Sequence, residues 1–475
     1  MKRIILLLVL IAVLLVVFPR VIQPWYEDRD FLFYSMPLHS DEWQHYSISQ
    51  SLNDNVFDAT MVSYEGNPDF VDTSPLFHWI IFLFQKIGLT PSLFFILPLL
   101  QIIAFASIFF LLIKELLGRN IATISTILAL FIRSDAHLLG LLFFKPFTFG
   151  LVLLFLGIFL VHKRGLSWEY FITLAALIFI YPPYILLSLI YMVAYTLFIK
   201  KTGIRSKRII GVIGVSGIIS IAFGLYLAGG SAIDLLNKVI YPLNWTSAIQ
   251  IDLLSYLGIA LIVFGIIGLA KTFNKRELFP LHFVFLFFLF DFVALFATGY
   301  SFGFHYLRII YIGAILFAVY AGVGIDAVAR RVFKNKMAFQ KIGAGVLVLS
   351  VVLPTILFYI NFNDQHYPKI YITPKHVSGF AYLESIENKD LRILHPIGLG
   401  PMITPLSGFK ATAMPEGFIY GKRDSYFDFL SDTCPEKEQF LTQENYQIIF
   451  SETDISCAFL TTLFDNDVIR IYTYY

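Results

Sequence analysis

The acidic pair Asp41-Glu42 is the feature of this sequence best suited to chemistry. Ser40, just before the pair, is a residue type that caps helices, and apolar or aromatic residues follow at helical spacing. A short helix beginning at Ser40 would hold both carboxylates in its first turn. A carboxylate held in this way can take a proton from a hydroxyl group while the hydroxyl oxygen attacks.

Three basic residues, Arg133, Lys145 and Arg308, stand where apolar stretches begin or end. An ionisable group at membrane depth pairs with another group, lines a cavity or contacts a ligand. Arg308 is the first candidate for binding a phosphate, because a guanidinium group can donate to two phosphate oxygens. Lys145 and Arg133 are further candidates, and Asp135 could orient Arg133 or act as a second acid. Arg308 and Lys145 could instead extend toward lipid headgroups.

The histidines His45, His78 and His305 do not have the spacing of metal ligands on one helix, so no metal site is predicted from them. We interpret them as interface residues or as contacts to a substrate. Cys434 and Cys457 are the only cysteines. They could form a disulfide in an oxidising compartment or remain two buried thiols.

The composition excludes a soluble globular enzyme. The chain has 475 residues, 57% of them hydrophobic and 14% charged, and its mean hydropathy is +0.74. A soluble domain carries about 25% charged residues. Apolar stretches long enough to cross a bilayer predict a polytopic α-helical membrane protein with about 11 transmembrane helices. The predicted spans are 4–18, 96–117, 120–140, 143–162, 167–182, 184–200, 209–228, 252–271, 279–298, 308–326 and 342–361.

The distribution of charge predicts the orientation. With a cytoplasmic N-terminus, 19 of the 26 Lys and Arg in residues 1–361 fall in cytoplasmic segments, as the positive-inside rule requires. Residues 362–475 carry 9 basic and 15 acidic residues and ordinary strand patterns. We therefore predict a transmembrane domain, 1–361, with a long first outer loop, 20–95, and an extracytoplasmic α/β domain, 362–475.

The order of these motifs resembles the GT-C superfamily of membrane glycosyltransferases, which includes protein O-mannosyltransferases, aminoarabinose transferases and oligosaccharyltransferases. Two departures from the oligosaccharyltransferase pattern favour a monosaccharide transferase that has no obligatory metal. The tail lacks the Trp-Trp-Asp-Tyr-Gly sequence of oligosaccharyltransferases, and the first loop has Asp-Glu in place of Asp-x-Asp. The residues that carry the resemblance are Asp41-Glu42, Ser74-Pro75-Leu76-Phe77-His78, Arg133-x-Asp135, and His305-Tyr306 with Arg308.

The resemblance implies transfer of a monosaccharide, hexose- or mannose-like, from a polyprenyl-phosphate donor to a glycan, lipid or protein acceptor on the extracytoplasmic face of the cell membrane. It implies inversion with Asp41 as general base, and Glu42 orienting Asp41 or contacting the acceptor. Arg308, Lys145, Arg133 and His305 would bind the donor phosphate, and Asp135, His45 and His78 would orient groups or contact the acceptor. No metal is required, although Mg²⁺ or Mn²⁺ is compatible. No nucleic-acid partner is expected.

Two other functions agree with the same composition. A transporter or flippase of lipid-linked sugars would also need a polar cavity between helices, although such proteins commonly show repeated halves. A non-catalytic subunit could retain the fold. The pair Asp41-Glu42 could then be an ordinary solvated surface.

Overall fold

The computed structural model describes residues 2–26, 34–52, 74–134, 140–165, 167–199, 240–242, 258–302, 304–333, 337–360, 372–412 and 425–474, with isolated residues between 214 and 222. Its contacts divide the chain into two compact units. The first unit is Met1–Pro19 with Ile96–Tyr367, and the second unit is Arg20–Phe95 with Pro368–Tyr475. This division differs from the predicted boundary, since the first loop groups with the C-terminal region.

Helices dominate the described residues, and they are numbered here in chain order. They are α1 (Lys2–Tyr26), α2 (Ser40–Ser51), α3 (Pro75–Lys86), α4 (Ile96–Leu117), α5 (Arg119–Leu130), α6 (Pro146–Arg164), α7 (Trp168–Ile180), α8 (Pro183–Phe198), α9 (Ile259–Thr272), α10 (Phe279–Thr298), α11 (Tyr306–Val332), α12 (Met337–Ile360), α13 (Pro374–Ser385), α14 (Gly400–Ser407), α15 (Ser425–Ser431) and α16 (Cys434–Glu444).

Six helical stretches in the described part of the chain are long and apolar enough to cross a membrane, so the chain is an integral membrane protein. They are Ile4–Val21, Pro91–Leu117, Pro146–Arg164, Arg276–Thr298, Leu307–Val332 and Ala338–Leu357. The apolar helices α5, α7, α8 and α9 have 10–17 residues, fewer than the roughly 20 that a span needs. Each predicted span except 209–228, which falls mostly outside the described residues, overlaps one of these helices. The predicted number of eleven spans is not confirmed.

Helices α9 and α11 pack with their backbones in direct contact. A Cβ atom added at Gly268 would lie 1.7 Å from the carbonyl oxygen of Tyr320, and one added at Gly324 would lie 2.0 Å from that of Phe264. Small residues allow such close approach, and in a membrane this approach is a main source of helix association. The two glycines therefore fix the distance between α9 and α11.

Polar side chains connect the same helices. His282 of α10 lies with Nε2 3.1 Å from the carbonyl oxygen of Thr272 and with Nδ1 2.8 Å from the hydroxyl of Tyr320. A carbonyl can only accept, so Nε2 carries the hydrogen and Nδ1 accepts from Tyr320. This pair of bonds joins α9, α10 and α11 in the buried interior of the first unit.

The second unit contains a four-stranded sheet in the order β3-β4-β6-β5. Strands β3 and β4 are parallel, and the other pairs are antiparallel. A separate short pair, β1 (Ile240–Pro242) and β2 (Tyr300–Phe302), lies in the first unit. The sheet strands are β3 (Ile393–Leu394), β4 (Ile448–Ser451), β5 (Thr461–Asp465) and β6 (Arg470–Thr473).

Helix α2 belongs to the core of this second unit. Trp43 and Ile48 are buried together with Phe380, Ile403 and Phe450, and α2 packs against α3 and α14. Burial of an aromatic side chain such as that of Trp43 stabilises a fold by about 2–3 kcal/mol or more. The acidic pair therefore sits on a helix that is fixed from two sides.

The only cysteines are joined in the structure. Cys434, at the start of α16, and Cys457 form a disulfide with their Cα atoms 5.6 Å apart. The bond links α16 to the loop before β5, next to a cluster that contains Phe429, Leu441 and Tyr472.

We expect Gly324→Ala to destabilise the protein strongly, because the new methyl group would meet the backbone of α9 and force the two helices apart. Overpacking of this kind costs about 1–3 kcal/mol or more. Gly313→Ala on the same helix is the matched control, since among the described residues no atom lies within 4 Å of a Cβ placed there. Thermal unfolding of both variants in detergent tests this, and equal midpoints would contradict the packing.

Candidate active site

Helix α2 begins at a histidine cap. His39 has an extended backbone (φ −133°, ψ 149°), and its ring Nδ1 accepts a hydrogen bond from the backbone N–H of Asp41 at 3.1 Å. The sequence predicted Ser40 as the cap. The structure makes Ser40 the first helical residue instead, because the His39 ring reaches the free N–H group in the first turn.

Glu42 completes the start of the helix. Its carboxylate is fully buried, and Oε2 accepts hydrogen bonds from the backbone N–H groups of Leu38 at 2.8 Å and His39 at 3.3 Å. A side chain that reaches back in this way forms a capping box with the residue at the N-cap. Glu42 therefore fixes the segment that carries Asp41, and its predicted contact with an acceptor stays a prediction.

Asp41 is the accessible acid of the pair. Its side chain is 25% exposed, and Oδ1 lies 3.2 Å from Nδ1 of His39. The first turn of a helix stabilises negative charge, because its N–H dipoles point toward that end. Asp41 thus combines access with a fixed position, two properties that a general base needs.

His45 and His78 form a direct pair. Nδ1 of His45 lies 2.8 Å from Nε2 of His78, so one ring donates and the other accepts. His45 stands one turn after Asp41, and residues four apart share one face of a helix. His78 is buried in the first turns of α3, where the fully buried ring of Phe77 contacts His45 edge-on. The structure therefore brings together three predicted residues, Asp41, His45 and His78, around the junction of α2 and α3.

Further polar contacts lock α3 onto α2. Gln85 donates to the backbone oxygen of Tyr46 at 3.1 Å and to the hydroxyl of Ser49 at 2.8 Å. Tyr46 in turn donates to the carbonyl of Leu89 at 3.1 Å. Burial raises the pKa of Tyr46 to about 12, so its hydroxyl stays a neutral donor at physiological pH. These bonds keep the His45 and His78 rings in register.

Arg308 lies in the first unit, in the first turn of α11. Its Nη1 donates to the hydroxyl of Tyr181 at 2.5 Å, and its guanidinium group stands 5.5 Å from the ring centre of Phe147 and 5.3 Å from that of Tyr181. Aromatic faces attract a cation and hold it where water is scarce. The half-buried guanidinium is therefore positioned by packing, and such a group can bind a phosphate through two parallel hydrogen bonds.

Residues 131–134 and 140–145, the described parts of the connection between α5 and α6, are irregular and mostly buried, and they carry the other two predicted cations. Arg133 and Lys145 are each 6% exposed. Irregular backbone at membrane depth is tolerated only where protein groups satisfy its polar atoms. The side chains of α4, α6 and α11 supply those groups.

Gln101 of α4 is one of the side chains that bond to this irregular backbone. Its Nε2 donates to the carbonyls of Leu141 and Phe143, both at 3.0 Å. The hydroxyl of Thr148 accepts from the backbone N–H of Lys145 at 3.1 Å. From α11, the hydroxyl of Tyr311 accepts from the N–H of Leu141 at 2.8 Å. The backbone that presents Lys145 is therefore anchored from three helices.

His305 caps the start of α11, three residues before Arg308. Burial and, to a lesser extent, the positive charge of Arg308 together lower the pKa of His305 to about 4. His305 is therefore neutral at physiological pH and could serve as a hydrogen-bond partner of a donor group but not as a cation. Asp135 lies outside the described residues.

Sequence reasoning missed several residues that shape these sites. His39 was overlooked because Ser40 is the more usual cap, and a His before an acidic pair was the available signal. Tyr181 stands in a Tyr-Pro-Pro-Tyr sequence, which by itself is typical of a turn and gives no signal of a contact with Arg308. Gln101 and Tyr311 lie within apolar stretches, where an isolated polar residue is itself a signal of a buried hydrogen bond. In the described part of the chain, no group of three His, Cys, Asp or Glu residues is arranged to bind a metal ion.

We expect Gln101→Leu to loosen the segment between α5 and α6, because the carbonyl of Leu141 loses its donor. A buried polar group left unsatisfied costs about 1–3 kcal/mol. Hydrogen exchange should accelerate in residues 140–148, and the thermal midpoint should fall. Thr126→Val is the matched control, since that buried hydroxyl donates to Ala122 within its own helix. Unchanged exchange in Gln101→Leu would contradict the anchoring role.

Comparison with known proteins finds similarity at the level of three-dimensional structure. No protein-family model and no curated protein sequence matches the chain. The apo crystal structure of the oligosaccharyltransferase from Archaeoglobus fulgidus is similar over 95% of this chain and 69% of its own, with 15% identity and a TM-score of 0.61.

Two further solved structures contain lipid phosphates. The Archaeoglobus fulgidus oligosaccharyltransferase AglB in complex with an inhibitory peptide and a dolichol-phosphate is 14% identical over 95% of this chain and 69% of its own, with a TM-score of 0.60. ArnT from Cupriavidus metallidurans bound to undecaprenyl phosphate is 10% identical over 98% of this chain and 97% of its own, with a TM-score of 0.57. These enzymes are of the GT-C type, and the chain therefore has the GT-C fold that its motifs predict.

Proposed function

We propose that the protein is a glycosyltransferase that moves a sugar from a polyprenyl-phosphate carrier to an acceptor hydroxyl. The observation that carries the proposal is the Asp41 carboxylate, which is exposed at the start of a helix fixed by a capping box, in a chain with the GT-C fold. The finer proposal is a hexose- or mannose-like monosaccharide donor. The acceptor is a glycan, lipid or protein.

Asp41 acts as the general base in this proposal. The acceptor oxygen attacks the anomeric carbon of the sugar while Asp41 removes the hydroxyl proton, and the bond from that carbon to the carrier phosphate breaks. Attack from the face opposite the leaving phosphate inverts the anomeric centre. The ordinary pKa of an Asp side chain is about 3.9, which suffices because the attacking hydroxyl becomes acidic only late, as positive charge develops on the sugar.

Basic residues of the first unit bind the carrier phosphate in this proposal. The aromatic rings of Phe147 and Tyr181 hold the Arg308 guanidinium, and Lys145 and Arg133 are buried on a segment anchored by Gln101. Positive groups aimed at a departing phosphate stabilise the charge that develops on it. The undecaprenyl phosphate bound to ArnT, a protein of the same fold, supports this assignment.

The remaining predicted residues have supporting roles. His45, with His78 behind it, contacts the acceptor or orients it, and His305 contacts the donor as a neutral hydrogen-bond partner. Asp135, which lies outside the described residues, stays a predicted partner of Arg133 or a second acid. The active site and the C-terminal α/β region face the extracytoplasmic side of the cell membrane, with the N-terminus in the cytoplasm.

We expect Asp41→Asn to reduce release of free polyprenyl phosphate by at least about 100-fold, the usual contribution of a general base. The assay uses reconstituted full-length protein, a panel of polyprenyl-phosphate sugars and crude acceptor extract. Asp390→Asn, which removes an exposed carboxylate elsewhere in the second unit, is the matched control and should be fully active. Both variants should unfold at the wild-type temperature.

Arg308→Gln in the same assay separates donor binding from proton transfer. It should raise the donor KM, because the phosphate loses a charged partner.

Full activity of Asp41→Asn would contradict the assignment of the base. No release from any donor, with lipid binding intact and labelled lipid scrambled between leaflets, would indicate a flippase. The same result without scrambling would indicate a non-catalytic subunit.

A further inference from the structure

We propose that His39 is the proton relay of this site, taking from Asp41 the proton that Asp41 removes from the acceptor. The inference deepens the proposed function and rests on it. His39 acts through Asp41 and is therefore a positioning residue with a second task, which is to return the base to its charged form after each transfer.

The geometry gives one ring nitrogen two partners. Nδ1 of His39 lies 3.1 Å from the backbone nitrogen of Asp41 and 3.2 Å from Oδ1 of the same residue. A neutral Nδ1 with a free lone pair accepts from the N–H group, whereas a protonated Nδ1 donates to the carboxylate. The heavy atoms are in place for both states, so the proton can move without a change of backbone.

A capping role alone does not need a histidine. Ser, Thr, Asp and Asn are the preferred caps, and each accepts a hydrogen bond from the first turn. Serine is already present at position 40, one residue further on. What histidine adds to a cap is an affinity for protons near neutral pH. Next to a carboxylate that must discharge a proton in every cycle, this is the property that a relay requires.

The proton balance closes without any further reagent. The acceptor O–H bond breaks as the oxygen bonds to the anomeric carbon, and its proton goes to Oδ1 of Asp41. Oδ1 passes the proton to Nδ1 of His39, and the charged ring then gives one proton to solvent and returns to the neutral form without a hydrogen on Nδ1, as at the start of the cycle. The ordinary pKa values of Asp, about 3.9, and His, about 6.5, favour transfer to the ring by a factor of about 10²–10³.

Charged and titratable neighbours act on the ring in both directions. The buried carboxylate of Glu42, bonded to the His39 N–H, favours a protonated ring, and the N-terminal dipole of α2 opposes it. Arg20 donates to the carbonyls of Tyr34 and Met36, in the segment that leads to His39. His45 and Tyr46 are the titratable groups on the next turn of α2, and His78 and Lys86 are those on α3. Helix α14, which packs against α2, has no titratable side chain.

The test is His39→Asn, because an Asn side chain can keep the cap while losing the proton acceptor. We expect kcat to fall severalfold with the donor KM unchanged, because Asp41 must then lose its proton directly to water. The acid limb of the kcat profile should move to lower pH. In the wild type the rate falls once the ring is already protonated, whereas in the variant it falls only when Asp41 itself is protonated. His162→Asn, at the end of α6, is the control and should change neither.

The outcomes separate this inference from the proposed function. Unchanged kcat, or a lower kcat with an unmoved acid limb, makes His39 a cap only and overturns the relay while Asp41→Asn remains inactive. An active Asp41→Asn overturns the proposed function and the relay with it.

A measurement without donor keeps the inference testable if no donor is found. In nitrogen-15 spectra of histidine-labelled protein, the His39 signal, identified by its loss in His39→Asn, should titrate at higher pH in the wild type than in Asp41→Asn. The carboxylate beside the ring stabilises its charged form. Identical titrations would show that the ring and the carboxylate are not coupled and would overturn the relay.

Discussion

The backbone N–H groups at the start of α2 must find acceptors, and the rest of the proposed chemistry depends on how they do so. Glu42 accepts from Leu38 and His39, and the His39 ring accepts from Asp41. With Glu42 committed to the helix start and fully buried, Asp41 is left as the accessible carboxylate. Two adjacent acids thus have different tasks, one structural and one available for catalysis.

The same requirement organises the first unit. Residues 140–145, which lead into α6, are irregular and buried, and Gln101, Thr148 and Tyr311 bond to carbonyl and N–H groups of this stretch. The polar anchors come from helices that are otherwise apolar. These hydrogen bonds also fix the position of Lys145. The rings of Phe147 and Tyr181 fix the guanidinium group of Arg308. A cation that is already held in place does not have to reorganise in order to stabilise a phosphate group. Preorganised cations of this kind lower the barrier to reactions in which a phosphate leaves.

Hydropathy predicted the positions of most helices because an apolar stretch has few alternatives to crossing a membrane. The acidic pair and its helix were predictable from capping residues and spacing. The cap at His39 was not, because local preference favours Ser40 and only the folded geometry decides between them. The contact of Gln101 with Leu141 joins residues 40 positions apart, and the packing of Trp43 with Phe450 joins the first loop to the C-terminal region. One sequence contains no signal that pairs residues over such distances.

We propose separate roles for Asp41 and Glu42, and a direct comparison of Asp41→Asn with Glu42→Gln tests this division. Polyprenyl phosphate release and thermal unfolding are measured on the same reconstituted preparations. We predict that Asp41→Asn loses release at the wild-type unfolding temperature, while Glu42→Gln unfolds at a lower temperature and keeps measurable release below it. Loss of release in a fully stable Glu42→Gln, with Asp41→Asn active, would contradict this division of roles.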